Sequence, residues 1–329
     1  MRSSVQVSAA ARLHFGLAGL SRREGPSFGG LGMMIDRPRA IIHIEPALRW
    51  PNSRGACDRC LAVCRRAHES WDRRREMPAV ACRVIQRMPM HCGLGTGTQI
   101  ALAAAAGMRA LLDLPPAPTD RLAHVAGRGA RSAVGAHGFA KGGLIWETGR
   151  MPGDQLGHLA QRVAVPAAWR VVLAIPQNEE GLSGPAETAA FAKLPSPAPG
   201  ITHRLRELAE EAVIPAVRSR DFEGFSNAVF DYCRLSGSMF APVQGGDYAS
   251  SKIAARVEAL RKAGVSGVGQ SSWGPTVFAL QPDRAAASEL VATLQKAPEF
   301  ADCEFIVAAA ENNAAEVTVG APAADYAAS

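Results

Sequence analysis

Residues 89–107, PMHCGLGTGTQIALAAAAG, bring together residue types that hold an anion. Gly93, Gly95 and Gly97 alternate with Leu94 and Thr96, and Thr98 leads into an alanine-rich run. Glycines without a Cβ let backbone N–H groups converge, and a following helix aims the positive end of its dipole at the same point. The chemistry is retention of a phosphate or diphosphate on Gly93, Gly95, Thr96, Gly97 and Thr98. No Lys-Ser/Thr follows the last glycine, which excludes a Walker loop, and the alternating glycines do not make the dinucleotide fingerprint.

Other polar residues stand where a core is hard to build from them. Arg12 and His14 are two apart on an expected strand, so they share a face. They suit substrate anions, with His14 available as an acid or base. Gln270, Ser271, Ser272 and Trp273 lie between Gly269 and Gly274. Their amide and hydroxyls suit a substrate hydroxyl or carboxylate, and Trp273 offers an aromatic face. Gln244 and Asp247, within QGGDY, are further binding candidates. Arg131, Ser132 and His137 fall in an expected glycine-containing loop, and Lys141 is a candidate phosphate or carboxylate ligand. Gly29, Gly30 and Gly32 read either as a close backbone approach or as a tight hairpin, and Asp36 as a turn carboxylate.

Cys57, Cys60, Cys64 and His68 share one helical face. Four ligands on one straight helix span ~16 Å, too far to meet a single ion. They read as apolar helix positions, Cys92 reads as packed beside the glycine loop, and no metal site is expected.

The elements that must position these residues follow from periodicity. Strands are expected over 5–17, 39–45, 79–88, 142–149, 169–176 and 303–309, with a glycine turn and short apolar run at 28–38. Helices are expected over 57–75, 98–112, 119–132, 201–219, 221–237, 250–263 and 283–296. Residues 177–200 read as loop, and 265–280 as a glycine-rich strand pair. The irregular alternation favours an α+β class with mixed or antiparallel sheets. A boundary near 165 divides units 1–165 and 166–320, and 321–329 is expected to be a disordered tail.

The chain has 329 residues, 47% hydrophobic and 20% charged, which suits a globular enzyme with sizeable cores. The net charge of +6 suits an anionic small substrate. No basic stripe interleaved with aromatics argues for nucleic acid, and Arg73 to Arg75 reads as a solvated helix end. No run reaches the ~18–20 apolar residues of a membrane helix, and the seven cysteines lack a framework spacing. A cytoplasmic protein is expected, with no membrane or nucleic-acid partner.

Three separated blocks resemble the GHMP superfamily of small-molecule kinases: AARLHFGL (10–17), the glycine loop with its helix, and GVGQSSWGPTVFAL (267–280). Within it the chain is most similar to the β-ribofuranosylaminobenzene 5′-phosphate synthases. That pattern is matched by RLHFGL (12–17), FGGLGMMI (28–35), HCGLGTGTQIAL (91–102), SAVGAHGFAKGGLI (132–145), GLSG with a following Glu (181–187), APVQGGDYAS (241–250) and GQSSWGPT (269–276).

The resemblance implies a GHMP-kinase-like fold, with a ribosomal-protein-like N-terminal domain and a ferredoxin-like C-terminal domain. It implies a pentosyltransferase that joins phosphoribosyl diphosphate to 4-amino- or 4-hydroxybenzoate, releasing diphosphate and carbon dioxide, early in methanopterin biosynthesis. It further implies a homodimer, no certain cofactor, and magnesium only as company for the diphosphate. Under this reading Arg12, His14, Lys141, Gln270 and Ser271 are catalytic candidates. The rival reading is an ATP-dependent kinase of the same superfamily. Against it, Gly138 to Gly143 lacks the aspartate base of the mevalonate-type kinases and resembles the Ser-Ala…Gly-Gly segment of the diphosphomevalonate decarboxylases. A third reading is a ligand-binding protein that keeps the scaffold without catalysis.

Overall fold

The computed structural model describes residues 3–20, 26–51, 58–71, 79–182 and 184–320. The tail 321–329, the arginine run 73–75 and Cys57 lie outside the described residues.

Two antiparallel sheets carry the chain. The first is built on β1 (Val5–Leu17) and β2 (Gly30–Pro46). On β1 the alternating Val5, Val7, Ala9, Ala11, Leu13, Phe15 and Leu17 all face the core, as the period of a strand dictates. Helix α1 (Asp58–Trp71), β3 (Val80–Gln86), α2 (Thr96–Leu111), α3 (Thr119–Ala126), α4 (Val134–Lys141), β4 (Leu144–Glu147) and β5 (Leu159–Val163) complete the N-terminal run. Strand order in this sheet is β10-β1-β2-β4-β5, with β3 also pairing with β2.

The second half runs β6 (Arg170–Pro176), α5 (Gly184–Ala192), α6 (Pro199–Glu207), a π-helical turn (Leu208–Val213), α7 (Ile214–Ser219) and α8 (Phe222–Ser238). Then come α9 (Ala241–Gln244), α10 (Ser251–Lys262), β7 (Val268–Gln270), β8 (Val277–Gln281), α11 (Arg284–Leu294), β9 (Cys303–Ala309) and β10 (Glu316–Val319). The second sheet is ordered β7-β8-β6-β9. β10 returns to the first sheet, pairing Val5 with Val319.

Helix α2 lies across β1 and β2. Its Ala101, Ala103, Ala104 and Ala105 are fully buried, and a Cβ at Gly107 would lie 2.7 Å from Ile44 Cδ1. Small residues therefore let this helix sit close on the sheet and fix where its N-terminus emerges. Helices α10 and α11 cover the other sheet, with Ile253, Val257 and Leu290 packed against Val172 and Val277.

Three local expectations are corrected. Residues 28–38 and 39–45 are not a turn and a separate strand; 30–46 form one strand. Its register jumps from Arg39 opposite Ala10 to Ile35 opposite Ala11, so residues 36–38 bulge out and Pro38 needs no ladder hydrogen bond. The loop expected around 132–141 is largely α4. Its glycines serve close packing, since a Cβ at Gly138 would strike the Met34 side chain. The loop expected over 177–200 contains α5. Strands β5 and β10, with mostly intermediate or exposed residues, were too weakly apolar to be read from periodicity. No helix among the described residues is long and apolar enough to cross a membrane.

Candidate active site

Helix α2 begins after Gly95, which takes φ 75° and provides no side-chain cap. The first N–H groups of the helix are left for a ligand. Guanidinium groups from three other elements gather there. A Cβ at Gly95 would lie 3.3 Å from Arg12 Nε. A Cβ at Gly97 would meet Arg59 Nη1 of α1 and lie 3.7 Å from Arg128 Nη2, just beyond α3. The Nε atoms of Arg12 and Arg128 and an Nη of Arg131 are buried without a hydrogen-bond partner. Burial lowers the Arg12 pKa to about 10, partly offset by Glu187. Burial also lowers Arg128 to about 10, assisted by repulsion from Arg59, Arg66 and Arg131. Unpaired, mutually repelling guanidiniums beside an uncapped helix make a site for a polyanion.

Deeper in, His14 ties the two halves together. Its backbone N–H donates to Ser271 Oγ at 3.1 Å, and Ser271 Oγ donates to Gly93 O at 2.9 Å. Ser272 N donates to His14 O at 3.1 Å, which helps hold Ser272 at φ 57°, a left-handed conformation uncommon without glycine. His14 Nε2 lies 3.0 Å from Ser132 Oγ. Burial, reinforced by the Arg12 charge, holds the imidazole well below its ordinary pKa, so it is neutral.

Part of the cleft wall is aromatic. Trp273 sits 4.9 Å from Phe191 and 5.1 Å from Phe240, centroid to centroid. The Arg131 guanidinium lies 4.7 Å over the Phe191 ring and pairs with Glu187 at 2.8 Å. Trp273 Nε1 donates to Gln244 Oε1 at 3.0 Å, which fixes the indole. Gln270 Oε1 accepts from Ala249 N at 2.9 Å, while its Nε2 is buried and unpaired.

Arg12, Arg128, Arg131 and these rings line one cleft of about 330 Å³. Of the residues expected in the site, Arg12, His14, Thr98, Arg131, Ser132, Gln244, Asp247, Gln270, Ser272 and Trp273 line it. Seven others do not. Gly93, at φ 92°, is wedged against Ser271 O, so its lack of a side chain serves contact between the two halves. Gly95, Thr96 and Gly97 form the helix start beside the cleft, with Thr96 Oγ1 donating to Pro89 O at 2.6 Å. Ser271 lies fully buried behind His14. His137 is buried on α4, its Nε2 2.8 Å from Gly157 O. Lys141 is exposed at the end of α4.

Sequence reasoning missed Arg59, Arg128, Glu187, Phe191 and Phe240. Arg128 had a local signal, since it stands between Gly127 and Gly129, both at positive φ. Glu187 stood only in the block 181–187 of the family resemblance, and Arg59, Phe191 and Phe240 had no local signal before packing turned them inward.

Among the described residues no three His, Cys, Asp or Glu side chains are grouped to hold a metal ion. The cleft's carboxylates are Glu187, committed to Arg131, and Asp247, so the residues present do not form a resident metal cage. Cys60 and Cys64 are buried on α1, in apolar positions. Cys60 is disulfide-bonded. Cys92 is buried, with its pKa raised by burial, and packs rather than reacts. Asp36 accepts from Ala309 N at 2.8 Å, a structural contact within the bulge.

Comparison with known proteins places these features. The family model "GHMP kinases N terminal domain" matches residues 59–142, and "GHMP kinases C terminal" matches 213–299. A beta-ribofuranosylphenol 5′-phosphate synthase of Methanothermobacter thermautotrophicus is 25% identical, covering 84% of this chain and 89% of its own length. The protein of that name from Archaeoglobus fulgidus is 27% identical, covering 94% of this chain and 98% of its own. The crystal structure of homoserine kinase from Cytophaga hutchinsonii superposes with a TM-score of 0.66 at 16% identity, over 97% of this chain and 98% of that one. That last likeness is one of fold.

Proposed function

From the premise that the chain belongs to the GHMP kinase superfamily, we propose that it is a pentosyltransferase. It moves ribosyl 5-phosphate from phosphoribosyl diphosphate to a para-substituted benzoate, forming a C-riboside, diphosphate and carbon dioxide. The relatives' name, a ribofuranosylphenol phosphate synthase, favours 4-hydroxybenzoate over 4-aminobenzoate as acceptor. The product then serves methanopterin-type carrier synthesis.

One observation carries the reading: a single cleft is lined both by unpaired guanidinium nitrogens and by the rings of Phe191, Phe240 and Trp273. Arg12, Arg59 and Arg128, with the N–H groups at the start of α2, hold the diphosphate and stabilise the charge that grows as it leaves. The benzoate ring lies against Phe191, Phe240 and Trp273, with its carboxylate toward Arg131. The ring carbon bearing the carboxylate attacks the anomeric carbon, and loss of carbon dioxide restores aromaticity. A magnesium ion bound to the diphosphate would neutralise part of its charge. Lys141, exposed and outside the cleft, is proposed only as an outer contact for an anion, and His137 as support for α4.

The division at 165, a cytoplasmic setting and a homodimer complete the proposal. Sedimentation of the purified protein tests the last.

The decisive experiment mixes purified protein, phosphoribosyl diphosphate and carboxyl-labelled 4-hydroxybenzoate without ATP. Release of labelled carbon dioxide that needs both substrates supports the synthase. No release from folded protein with magnesium present removes it and leaves the ATP-dependent kinase to be assayed with ADP formation.

A further inference from the structure

Helix α5 (Gly184–Ala192) faces solvent along most of its length. Of its residues only Ala190 is buried, with Glu187 and Phe191 half-buried beside it. Spacings of three and four put these residues on one helical face. That face looks onto the cleft, since Glu187 and Phe191 both line it. It meets other cleft-lining residues there. Arg131 Nη2 donates to Glu187 Oε2 at 2.8 Å. The same guanidinium lies 4.7 Å from the centroid of the Phe191 ring, which in turn is 4.9 Å from Trp273 and 5.8 Å from Phe240. Arg131 is therefore gripped by α5 at two points one turn apart.

The Glu187 carboxylate stands where a ligand anion would. It lines the cleft together with Arg12, Arg128 and Arg131. Its charge acts on Arg12 and Arg128 as well, against the lowering that burial imposes on both. Among the described residues Arg131 is its one ion-pair partner. The other terminal nitrogen of Arg131, Nη1, is buried and unpaired. A guanidinium holds a carboxylate or phosphate best through two parallel N–H donors. While Glu187 holds Nη2, a second anion on Nη1 would stand beside it, and like charges that close repel. A ligand anion gains the two-donor contact with least repulsion by taking the place of Glu187. Solvent on the outer face of α5 leaves room for the glutamate to turn away.

We propose that Glu187 is an internal counter-anion that competes for Arg131: the ligand's anionic group takes the guanidinium as Glu187 leaves it. Glu187 thereby limits how tightly the cleft holds an anionic ligand and eases its release. The inference rests on the proposed function only for the identity of that anion, the acceptor's carboxylate or a phosphate of the donor.

Isothermal titration of the whole protein with 4-hydroxybenzoate, and separately with inorganic diphosphate, tests the exchange without turnover. Glu187→Gln and Glu187→Ala are both expected to bind at least one of the two about 5-fold more tightly, the scale on which having to open a half-exposed ion pair reduces affinity. In an Arg131→Gln background the same substitutions are expected to change that Kd by less than about 2-fold, because the pair they relieve is already gone. The ligand whose gain disappears there is the one that replaces Glu187: 4-hydroxybenzoate marks the carboxylate, diphosphate the phosphate. Weaker binding of both ligands would make Glu187 a support for Arg131 and overturns the proposal, as do unchanged Kd values in both variants. A gain that persists undiminished without Arg131 also overturns it. Tighter binding with no release of labelled carbon dioxide leaves the exchange standing and removes only the synthase reading. Release of carbon dioxide with Kd values unaltered in the Glu187 variants removes the exchange alone.

Discussion

Ser271 Oγ accepts the His14 backbone N–H at 3.1 Å, joining the last glycine-rich motif of the chain to the first. The same hydroxyl donates to Gly93 O at 2.9 Å, so one buried serine holds β1, the glycine loop and the 271–276 turn in register. Ser271→Ala leaves a buried N–H and a buried C=O unpaired. We expect a loss of about 2–4 kcal/mol in stability, read from urea unfolding, because each orphaned group costs about 1–3 kcal/mol. A midpoint unchanged from wild type at equal m would show that water replaces the hydroxyl.

Among the described residues Arg128 forms no ion pair, and the neighbouring Arg59, Arg66 and Arg131 repel it, so its charge is held for a ligand. Arg128→Ala is expected to raise KM for phosphoribosyl diphosphate at least about 10-fold, the loss of a charge-assisted contact, while KM for the benzoate is unchanged. Stability should be equal or slightly higher, since repulsion is relieved. Steady-state kinetics with each substrate varied in turn, beside a thermal melt, checks both halves. Equal rises in the two KM values would mean that the anion end is misplaced.

Trp273→Ala removes the indole from between Phe191 and Phe240 and strands Gln244 Oε1. The expected effect is weaker binding of the aromatic acid by about 10-fold or more, given that a buried aromatic wall contributes on the order of 1–3 kcal/mol. Fluorescence titration with 4-hydroxybenzoate measures it directly. The Kd for inorganic diphosphate should not move; if it does, the cleft has collapsed.

Glu147 is raised by burial from 4.5 to about 7 in the folded protein. The folded state therefore holds this proton more tightly than the unfolded chain. Between pH 4.5 and 7 the native state binds more protons, so stability falls as pH rises through that window. The stabilisation is full below the unfolded pKa and is lost above about pH 7. Against Glu147→Gln, whose other titrating groups are the same, wild type should lose about 2–3 kcal/mol between pH 5 and pH 8. Urea unfolding of both proteins at the two pH values gives the difference. A difference independent of pH would place the Glu147 pKa at its ordinary value.

Several features were legible in the sequence because their causes are local. Alternation from Val5 to Leu17 makes a strand whatever surrounds it, and it already put Arg12 and His14 on one face. The glycines before an alanine run announced a helix N-terminus open to an anion. The blocks from 12 to 276 carried the superfamily, since their order survives where overall identity is low. Helix α4 was hidden because its Gly135 and Gly138 read as turn residues, and only the closeness of Met34 and Thr98 explains glycine there.

The sequence by itself determined most of the strands and helices, the glycine loop, the family and about half of the cleft. Tertiary structure alone decided that Arg59 of α1 and Arg128 of the loop after α3 converge on Gly97, that Phe191 and Phe240 close around Trp273, and that Ser271 stands behind His14 rather than in the cleft. It also decided that the Glu147 carboxylate is buried on the backbone N–H groups of Ala133 and Gly149. The physical reason is that periodicity orients a side chain only within its own element. Burial, unpaired charge and shifted pKa values arise when elements from distant parts of the chain are packed against one another.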